Sequence, residues 1–273
     1  MNKVFEDYKD IHKGKRVFLV ANGPSLNDTD LDLIKDEYSF AMNRISLKYK
    51  ETKWRPTYYL FSSTNVNSSK PWHQQWRDSV RTAIESDKTT CFVAEQFRNQ
   101  VDPENKYSQV KWFSSLSENK PDPQGNVLHT CFSTDVVERI DKTGTTMNLA
   151  LQLCYHMGFS EIIFVGADLG WTFDTGTKKD PNHFSKEYTA EITKPEKANY
   201  QMRNIHSLAY AYFNRDKPDV KFYNASKKTV LDVYTIIDYE KYISDGNTDV
   251  LSNKLQDARA FWVRPPQYGG YFE

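Results

Sequence analysis

Short apolar runs rich in β-branched and aromatic residues recur along the chain, and stretches of helical periodicity separate them. The runs are nearly continuous instead of alternating between apolar and polar residues, which is typical of strands buried on both faces. Such strands, separated by helices, predict an α/β protein with a Rossmann-like, doubly wound and mainly parallel sheet. We place the strands at 16–21, 38–43, 57–62, 89–94, 110–113, 161–166 and 220–224.

Four helices are predicted between these strands, at 26–35, 72–85, 145–157 and 197–213. The third is the most apolar, and we expect it to pack against the sheet. Its apolar stripe consists of Leu149, Ala150, Leu153, Cys154 and Met157. Gly158 follows this helix and should end it. A long loop follows the strand at 161–166, where open parallel sheets carry ligands and the loops that cover them.

The chain has 273 residues, and its 36 Lys and Arg residues balance its 36 Asp and Glu residues. A neutral chain lacks the overall positive charge that predicts binding to nucleic acid or to an anionic membrane. Aromatic residues make up 14% of the chain, which argues against disorder because disordered chains are poor in them. We expect one domain over residues 1–245, with a covering loop, or lid, at about 170–190 and a C-terminal tail at 246–273.

The sequence predicts a cytoplasmic protein. No apolar run is long enough to cross a bilayer, and the charged N-terminus lacks the apolar stretch of a signal peptide. Cys91, Cys131 and Cys154 lie far apart along the chain. This spacing suits a reducing compartment and argues against a disulfide scaffold or a clustered zinc–thiolate site.

The strongest local signal is the segment Asn22–Leu26, which follows the first predicted strand and opens a predicted helix. A tight glycine turn in this position points main-chain N–H groups and the positive end of the helix dipole at an anion, commonly phosphate. Gly23 allows close approach of the main chain, Pro24 suits a helix start, and Ser25 either caps the helix or binds phosphate. A plain turn with a serine cap explains the same residues, so both interpretations stay open.

Other polar residues follow predicted strands at the point where each strand ends. They are Asn43, Ser62 with the adjacent Ser63, and Asp168. In an open parallel sheet the side chains at the carboxyl ends of the strands converge on one crevice. Ordinary capping of strand ends by Asn, Ser and Asp is the alternative, but convergence with Asn22 favours a binding crevice.

Two further segments carry candidate chemistry. Gly144, Thr145 and Thr146 stand at the start of the buried helix, where threonine hydroxyls either cap the helix or bind a carboxylate or phosphate. His183 differs from the other histidines because it lies in the predicted lid. A histidine over a crevice is a candidate general base because its pKa lies near neutrality, and a passive loop histidine is the alternative.

Metal and nucleic-acid motifs are missing from the sequence. No Asp-x-Asp directly follows any of the predicted strands, and no spacing of His and Cys matches a zinc or iron site. A basic stripe interleaved with aromatic residues, typical of nucleic-acid binding, is also missing. We therefore predict no metal site and no nucleic-acid partner.

In combination these segments resemble the bacterial sialyltransferases of glycosyltransferase family 42, and the wider superfamily of MptE-like pterin pyrophosphokinases and motility accessory factors. The matching segments, in chain order, are Asn22–Leu26, Asn43, Thr143–Thr146, Met157–Phe159, Glu161–Ile162, Gly166–Asp168 and His183. The resemblance covers about residues 15–225 and implies the GT-A-variant fold of the sialyltransferases. The ordered set is specific for the superfamily, although each piece alone is not.

The resemblance implies inverting transfer of an acidic sugar, sialic-acid-like or Kdo-like, from a CMP-activated donor to a glycan hydroxyl. His183 would be the general base, and Thr145 with Thr146 would bind the sugar carboxylate. The remaining donor-site residues would be Asn22, Gly23, Pro24, Ser25, Asn43, Ser62, Ser63, Gly144, Asp168, Trp171 and Thr172. The resemblance implies no required cofactor and predicts no site for Mg²⁺.

Two features of the sialyltransferases are missing. The stretch Leu169–Phe173 stands where they carry lid tyrosines that support the departing phosphate. Candidate substitutes are Thr172, Tyr188, Lys178 and Lys179. An arginine before the Ser/Thr segment is also missing, and Lys142 is the nearest cation. The superfamily is therefore better supported than sialic acid as the sugar, and the stretch Asp180–Phe184 is closer to the wider group, often found with polysaccharide-assembly genes.

Two alternatives stay open. One is an ATP- and Mg²⁺-dependent pterin-type pyrophosphokinase, for which only Asp168 and Asp174 are candidate crevice carboxylates. The other is a non-catalytic nucleotide- or glycan-binding protein. The expected partners are a nucleotide-sugar donor and a glycan or glycolipid acceptor. Aromatic tail residues suggest a homo-oligomer or peripheral contact with the inner face of the membrane, and they are Trp262, Tyr268 and Tyr271.

Overall fold

The computed structural model of the protein describes residues 1–63, 66, 71–86, 88–115, 132–141, 145–172, 181–188, 195–249 and 251. Within these residues eight strands form one sheet, in which every neighbouring pair is parallel. They are β1 (Arg16–Val20), β2 (Ser39–Met42), β3 (Tyr58–Phe61), β4 (Thr90–Ala94), β5 (Lys111–Phe113), β6 (Glu161–Val165), β7 (Lys221–Asn224) and β8 (Thr235–Ile236). The predicted parallel α/β sheet is confirmed.

The sheet has the spatial order β5-β4-β3-β2-β1-β6-β7-β8. The chain therefore builds outward from β1 in one direction as far as β5 and then returns to the other side of β1 with β6. This change of direction creates a switch point between β1 and β6, which is where open α/β sheets form their ligand crevices. Residues 17–20 of β1 and 162–165 of β6 are completely buried, as strands covered on both faces should be.

Five α-helices occur in the described part of the chain. They are α1 (Pro71–Ile84), α2 (Arg98–Val101), α3 (Thr146–Met157), α4 (Pro195–Asp216) and α5 (Tyr239–Asp245). The helices predicted at 72–85, 145–157 and 197–213 are confirmed as α1, α3 and α4. Short 3₁₀ segments are found at Lys3–Tyr8, Pro24–Asp28, Leu31–Ile34, Ile45–Lys48 and Glu95–Phe97.

The helix predicted at 26–35 is wrong, because two 3₁₀ turns occupy this stretch. Thr29 has an extended main chain between the turns, and its hydroxyl donates a 2.9 Å hydrogen bond to the carbonyl of Ser25. The carboxylate of Asp30 then accepts a hydrogen bond from the amide of Asp32 and caps the second turn. Short polar side chains thus compete with the helical hydrogen-bond pattern and interrupt it.

Helix α3 is buried against the sheet, as its apolar composition predicts. The hydroxyl of Thr145 accepts a 3.2 Å hydrogen bond from the amide of Met147 and caps the first turn. Gly158 ends the helix in the left-handed conformation, with φ of 79°. Both ends of α3 are therefore fixed by the residues that the sequence indicates.

The N-terminus is attached to the far edge of the sheet. Phe5 is completely buried, and its ring lies 5.4 Å from that of Phe92 and 5.6 Å from that of Phe113. The Asn2 side chain accepts from the amide of Ser114 at 2.8 Å and donates to the Ser114 carbonyl at 3.0 Å. These contacts attach the first residues to β4 and β5, at the edge opposite β8.

Cys91 and Cys154 are buried free thiols, and burial raises the pKa of Cys91 to about 12. Cys131 lies outside the described residues. Across the described ranges, no helix is both long and apolar enough to cross a membrane. The division into a domain at 1–245 and a tail at 246–273 stays a prediction, and most of that tail lies outside the described residues.

Candidate active site

The polar residues predicted to share a crevice lie at the carboxyl ends of neighbouring strands. Asn22 follows β1, Asn43 follows β2, Ser62 follows β3, and Asp168 follows β6. Since β3, β2, β1 and β6 are consecutive in the sheet, these four residues lie along one edge of it. That edge includes the switch point between β1 and β6.

Gly23 lies at the closest approach between the ends of β1 and β6. Its amide donates a 2.9 Å hydrogen bond to the carbonyl of Gly166. A Cβ atom at this position would lie 2.5 Å from both the Gly166 carbonyl oxygen and Asp168 Oδ2. Only glycine fits this position, because any side chain would overlap the main chain of the next strand end.

Ser25 is completely buried and is paired with Asp168 across the switch point. Its amide donates a 2.7 Å hydrogen bond to Asp168 Oδ2, and its hydroxyl donates to Asp168 Oδ1. The turn therefore directs an amide at a carboxylate of the protein itself. The expected helix dipole is also missing, because a 3₁₀ turn replaces the helix after Pro24. Ser25 and Asp168 hold the ends of β1 and β6 together. A direct contact between Ser25 and the sugar donor stays a prediction.

Asn22 has a buried, unsatisfied acceptor close to the carboxyl end of β1. Its side-chain amide donates to the carbonyl of Met42 at 3.2 Å, while its buried Oδ1 has no hydrogen-bond partner among the described residues. The buried hydroxyl of Ser62 likewise lacks one within the described ranges. An unsatisfied buried polar atom costs about 1–3 kcal/mol, so both atoms favour a polar ligand or water at this edge.

Asn43 lies between Asn22 and Ser62 and has a positive φ of 56°. Its carbonyl accepts a 2.5 Å hydrogen bond from the hydroxyl of Tyr59. Burial raises the pKa of that hydroxyl well above its ordinary value. The Asn43 side-chain oxygen accepts a 3.3 Å hydrogen bond from the hydroxyl of Thr146. The first residue of α3 is thereby brought to the same crevice edge as the strand ends.

The segment 181–188 carries His183 and lies against the Asn22–Ser25 turn. The amide of Phe184 donates a 3.0 Å hydrogen bond to the carbonyl of Asn22, and the side chain of Asn27 donates to the Phe184 carbonyl at 2.8 Å. The half-buried His183 imidazole stacks on the Tyr188 ring, with centroids 3.7 Å apart and planes 6° apart. The predicted general base, His183, is therefore the neighbour in sequence of Phe184, and Phe184 contacts the candidate donor site directly.

Trp171 and Thr172 are held by two asparagines. The side-chain amide of Asn199 bonds both the amide and the carbonyl of Trp171, each at 2.8 Å. Asn182 does the same for Thr172, at 2.8 Å and 2.9 Å. The indole of Trp171 lies 6.2 Å from the His183 ring between centroids. Two side chains thus place the main chain after β6 beside the histidine segment.

Sequence reasoning missed Asn182, Asn199 and Arg44. Asn182 adjoins His183 in the sequence, but its role depends on a main-chain contact ten residues away. Asn199 reaches the main chain of Trp171 from α4, and a lone asparagine in a polar helix carries no signal. Arg44 directly follows Asn43, and this proximity to a singled-out residue is the one clue that the sequence offers.

The binding roles of the remaining predicted site residues stay predictions. Thr145 caps α3, and Ser63 follows Ser62 at the end of β3. Gly144 and the stretch 173–180, with Asp174, Lys178 and Lys179, lie outside the described residues. Within the described ranges, no group of three or more His, Cys, Asp or Glu side chains is arranged to hold a metal ion.

The fold and site define a doubly wound α/β protein with polar residues gathered at the carboxyl edge of its sheet, around the switch point. The fold is similar to that of a MAf glycosyltransferase from Magnetospirillum magneticum AMB-1, with 16% sequence identity and a TM-score of 0.49. The match covers 95% of this chain and 41% of that one, so this chain spans about two fifths of that protein's length.

A second similar structure is the sialyltransferase CstII from Campylobacter jejuni, solved in complex with the substrate analogue cytidine-5'-monophosphate. The sequence identity is 14% and the TM-score 0.42, and the match covers 81% of this chain and 84% of that one. Both neighbours are glycosyltransferases, and the similarity is one of fold. No family model matches the sequence, and no curated protein matches it.

Proposed function

We propose that this protein is a glycosyltransferase that moves an acidic sugar, sialic-acid-like or Kdo-like, from a CMP-activated donor to a glycan or glycolipid hydroxyl. One observation carries the proposal. The 3.0 Å hydrogen bond from Phe184 to the Asn22 carbonyl brings His183 to the turn that the sequence resemblance identifies as the donor site. A base and a nucleotide-sugar site must be adjacent for transfer to an acceptor hydroxyl.

The donor site would be built from the strand ends. Asn22 Oδ1 and the Ser62 hydroxyl are buried polar atoms without hydrogen-bond partners among the described residues, and they suit the donor and acceptor groups of a nucleotide. Thr145 and Thr146 at the start of α3 would receive the sugar carboxylate, since Thr146 already faces Asn43. Gly23 leaves room for the close approach of the β1 and β6 ends and fixes the turn beside them.

The reaction would be a single inverting displacement. His183 takes the proton of the acceptor hydroxyl, whose oxygen forms a bond to the anomeric carbon of the sugar. The bond between that carbon and the phosphate oxygen breaks, and CMP departs with the electron pair. Thr172 or Tyr188 would support the departing phosphate, and Tyr188 also fixes the plane of the His183 ring by stacking on it. No cofactor enters this scheme.

The test of donor binding is thermal unfolding of the protein with CMP, CDP, UDP, GDP or ATP with Mg²⁺, each in large excess. A ligand at about one hundred times its Kd stabilises the folded state by about 2.7 kcal/mol and raises Tm by a few degrees. We expect CMP to raise Tm in the wild type, because it would satisfy Asn22 and Ser62.

The Asn22→Ala variant should lose this increase, whereas Asn214→Ala, a change on the exposed face of α4, should keep it. A shift with ATP and Mg²⁺ but not CMP would replace the proposal with the pyrophosphokinase. An absence of any shift would favour a protein that binds something other than a nucleotide. An equal loss of the CMP shift in both variants would contradict the assignment of the site to Asn22.

A further inference from the structure

Arg44 is a buried charged residue next to Asn43, and the proposed chemistry does not use it. It follows Asn43 at the carboxyl end of β2, and its side chain is almost completely buried. Burial lowers the pKa of its guanidinium from the ordinary value, with opposing contributions from Tyr188 and Glu187. Since a buried guanidinium is costly unless its N–H groups are hydrogen-bonded, its partners indicate what it is there to hold.

The partners of Arg44 belong to the segment 181–188 and to α1. Nη1 donates to the main-chain carbonyls of Glu187 and Tyr188, the latter at 2.6 Å. Nε donates a 3.1 Å hydrogen bond to the hydroxyl of Ser79 on α1. Two of the three acceptors are main-chain carbonyls. Arg44 therefore fixes the path of the main chain at residues 187–188 independently of the side chains at these two positions.

The fixed backbone in turn holds the aromatic group on which His183 rests. The Tyr188 ring is buried and parallel to the His183 imidazole, with centroids 3.7 Å apart. The Tyr188 ring also packs edge-on against Trp76, at 5.4 Å and 80°, and against Phe184, at 6.2 Å and 75°. The Arg44 guanidinium also lies over the Trp76 ring, 5.9 Å from its centroid. Arg44, Trp76 and Tyr188 therefore form one packed unit beneath the histidine.

We propose that Arg44 is the positioning residue that sets the orientation of His183 by anchoring residues 187–188 and with them the Tyr188 ring. The role of His183 as a base rests on the proposed function. The physical link from Arg44 to the His183 ring does not depend on that function. The hydrogen bond from Phe184 to the Asn22 carbonyl does not involve Arg44, so we expect it to persist when Arg44 is replaced. His183 then stays near the crevice and loses its defined ring plane.

The test is the NMR spectrum of the full-length protein with its histidine rings labelled, with His183 assigned from the signal lost in His183→Gln. Stacking on Tyr188 should shift the His183 ring protons upfield in the wild type. In Arg44→Met this shift should collapse toward the value of an unstacked histidine. Arg44→Lys keeps a charged donor at the same position and should retain part of the shift, so it also serves if Arg44→Met fails to fold.

The matched control is Arg81→Met. Arg81 also donates to two main-chain carbonyls, those of Val101 at 2.9 Å and Gln100 at 3.3 Å, but on the side of α1 that faces α2. We expect it to leave the His183 signals unchanged. Unchanged His183 signals in Arg44→Met, or equal changes in both variants, would overturn the assignment of Arg44 as the positioning residue.

A kinetic measurement adds the functional consequence. With a CMP-sugar as substrate, Arg44→Met should lower kcat by about 10- to 100-fold, the range expected for a misplaced base, and leave KM for the donor nearly unchanged. A rise in KM without loss of kcat would show that Arg44 serves donor binding instead. If the wild type does not turn over a CMP-sugar, the proposed function fails, while the NMR result still decides the role of Arg44.

Discussion

At the scale of single residues, a hydrogen-bonded pair, Ser25 and Asp168, joins the turn after β1 to the end of β6 at the switch point. The Asp168 carboxylate accepts hydrogen bonds from both the amide and the hydroxyl of the fully buried Ser25. Hydrogen bonds to a charged acceptor are stronger than neutral ones, and this pair joins residues 143 positions apart. The sequence indicates both residues but not the pairing, because a strand-end aspartate looks the same whether it faces a ligand or a turn.

We expect Ser25 and Asp168 to be energetically coupled. In a double-mutant cycle of Ser25→Ala and Asp168→Asn, the coupling in the free energy of unfolding should be about 1–3 kcal/mol, because each change leaves the other group partly unsatisfied. Chemical denaturation of the four proteins measures it. A cycle with Ser25→Ala and Asp232→Asn, on the Arg203 ion pair elsewhere, should be additive. Additive effects at Ser25 and Asp168 would contradict the pairing.

At the scale of elements, apolar continuity predicts the strands far better than it predicts local turns. All seven predicted strands agree with the structure to within one residue at each end. The predicted helix at 26–35 is wrong because Thr29 and Asp30 bond their own neighbours, a competition that apolar periodicity does not register. Strand β8 has two residues, too few to form a pattern, and its pairing with β7 depends on the surrounding fold.

The packing of α4 on the sheet makes stability depend on pH. His206 is buried between Phe164 of β6 and Tyr234, whose hydroxyl lies 2.9 Å from His206 Nδ1, and burial lowers the pKa of His206 to about 4. Below its ordinary pKa of 6.5 the unfolded chain binds a proton that the folded protein excludes. Stability contributed by the neutral ring is therefore complete above pH 6.5 and is lost as the pH falls toward 4, by on the order of 3 kcal/mol.

The His206→Gln variant removes the titrating ring, so its free energy of unfolding should fall less steeply between pH 6.5 and 4 than that of the wild type. Tyr234→Phe keeps the ring and should keep the slope, at lower overall stability. Urea unfolding at a series of pH values measures both. Burial lowers the pKa of His12 as well, so part of the slope should remain. Identical slopes for the wild type and His206→Gln would contradict this account of α4.

At the scale of the whole molecule, the candidate site is assembled from segments that are far apart in the chain. The turn after β1, the end of β2, the start of α3 and the segment 181–188 meet at one edge of the sheet. The sequence indicates this convergence, since parallel strands place their carboxyl ends together. It does not indicate which groups bond each other, because Arg44, Asn182 and Asn199 each bond main-chain atoms of segments that are distant in the chain or carry no motif.

The most direct test of the central claim is CMP release from CMP-sialic acid and CMP-Kdo, with a panel of glycan acceptors, by the wild type, His183→Gln and His156→Gln. His156 lies at the far end of α3 and bonds the Phe5 carbonyl, which glutamine can also do. We expect acceptor-dependent turnover by the wild type and His156→Gln, and kcat lower by about 10²- to 10⁴-fold in His183→Gln, because that variant lacks the base. Full turnover by a folded His183→Gln protein would contradict the account.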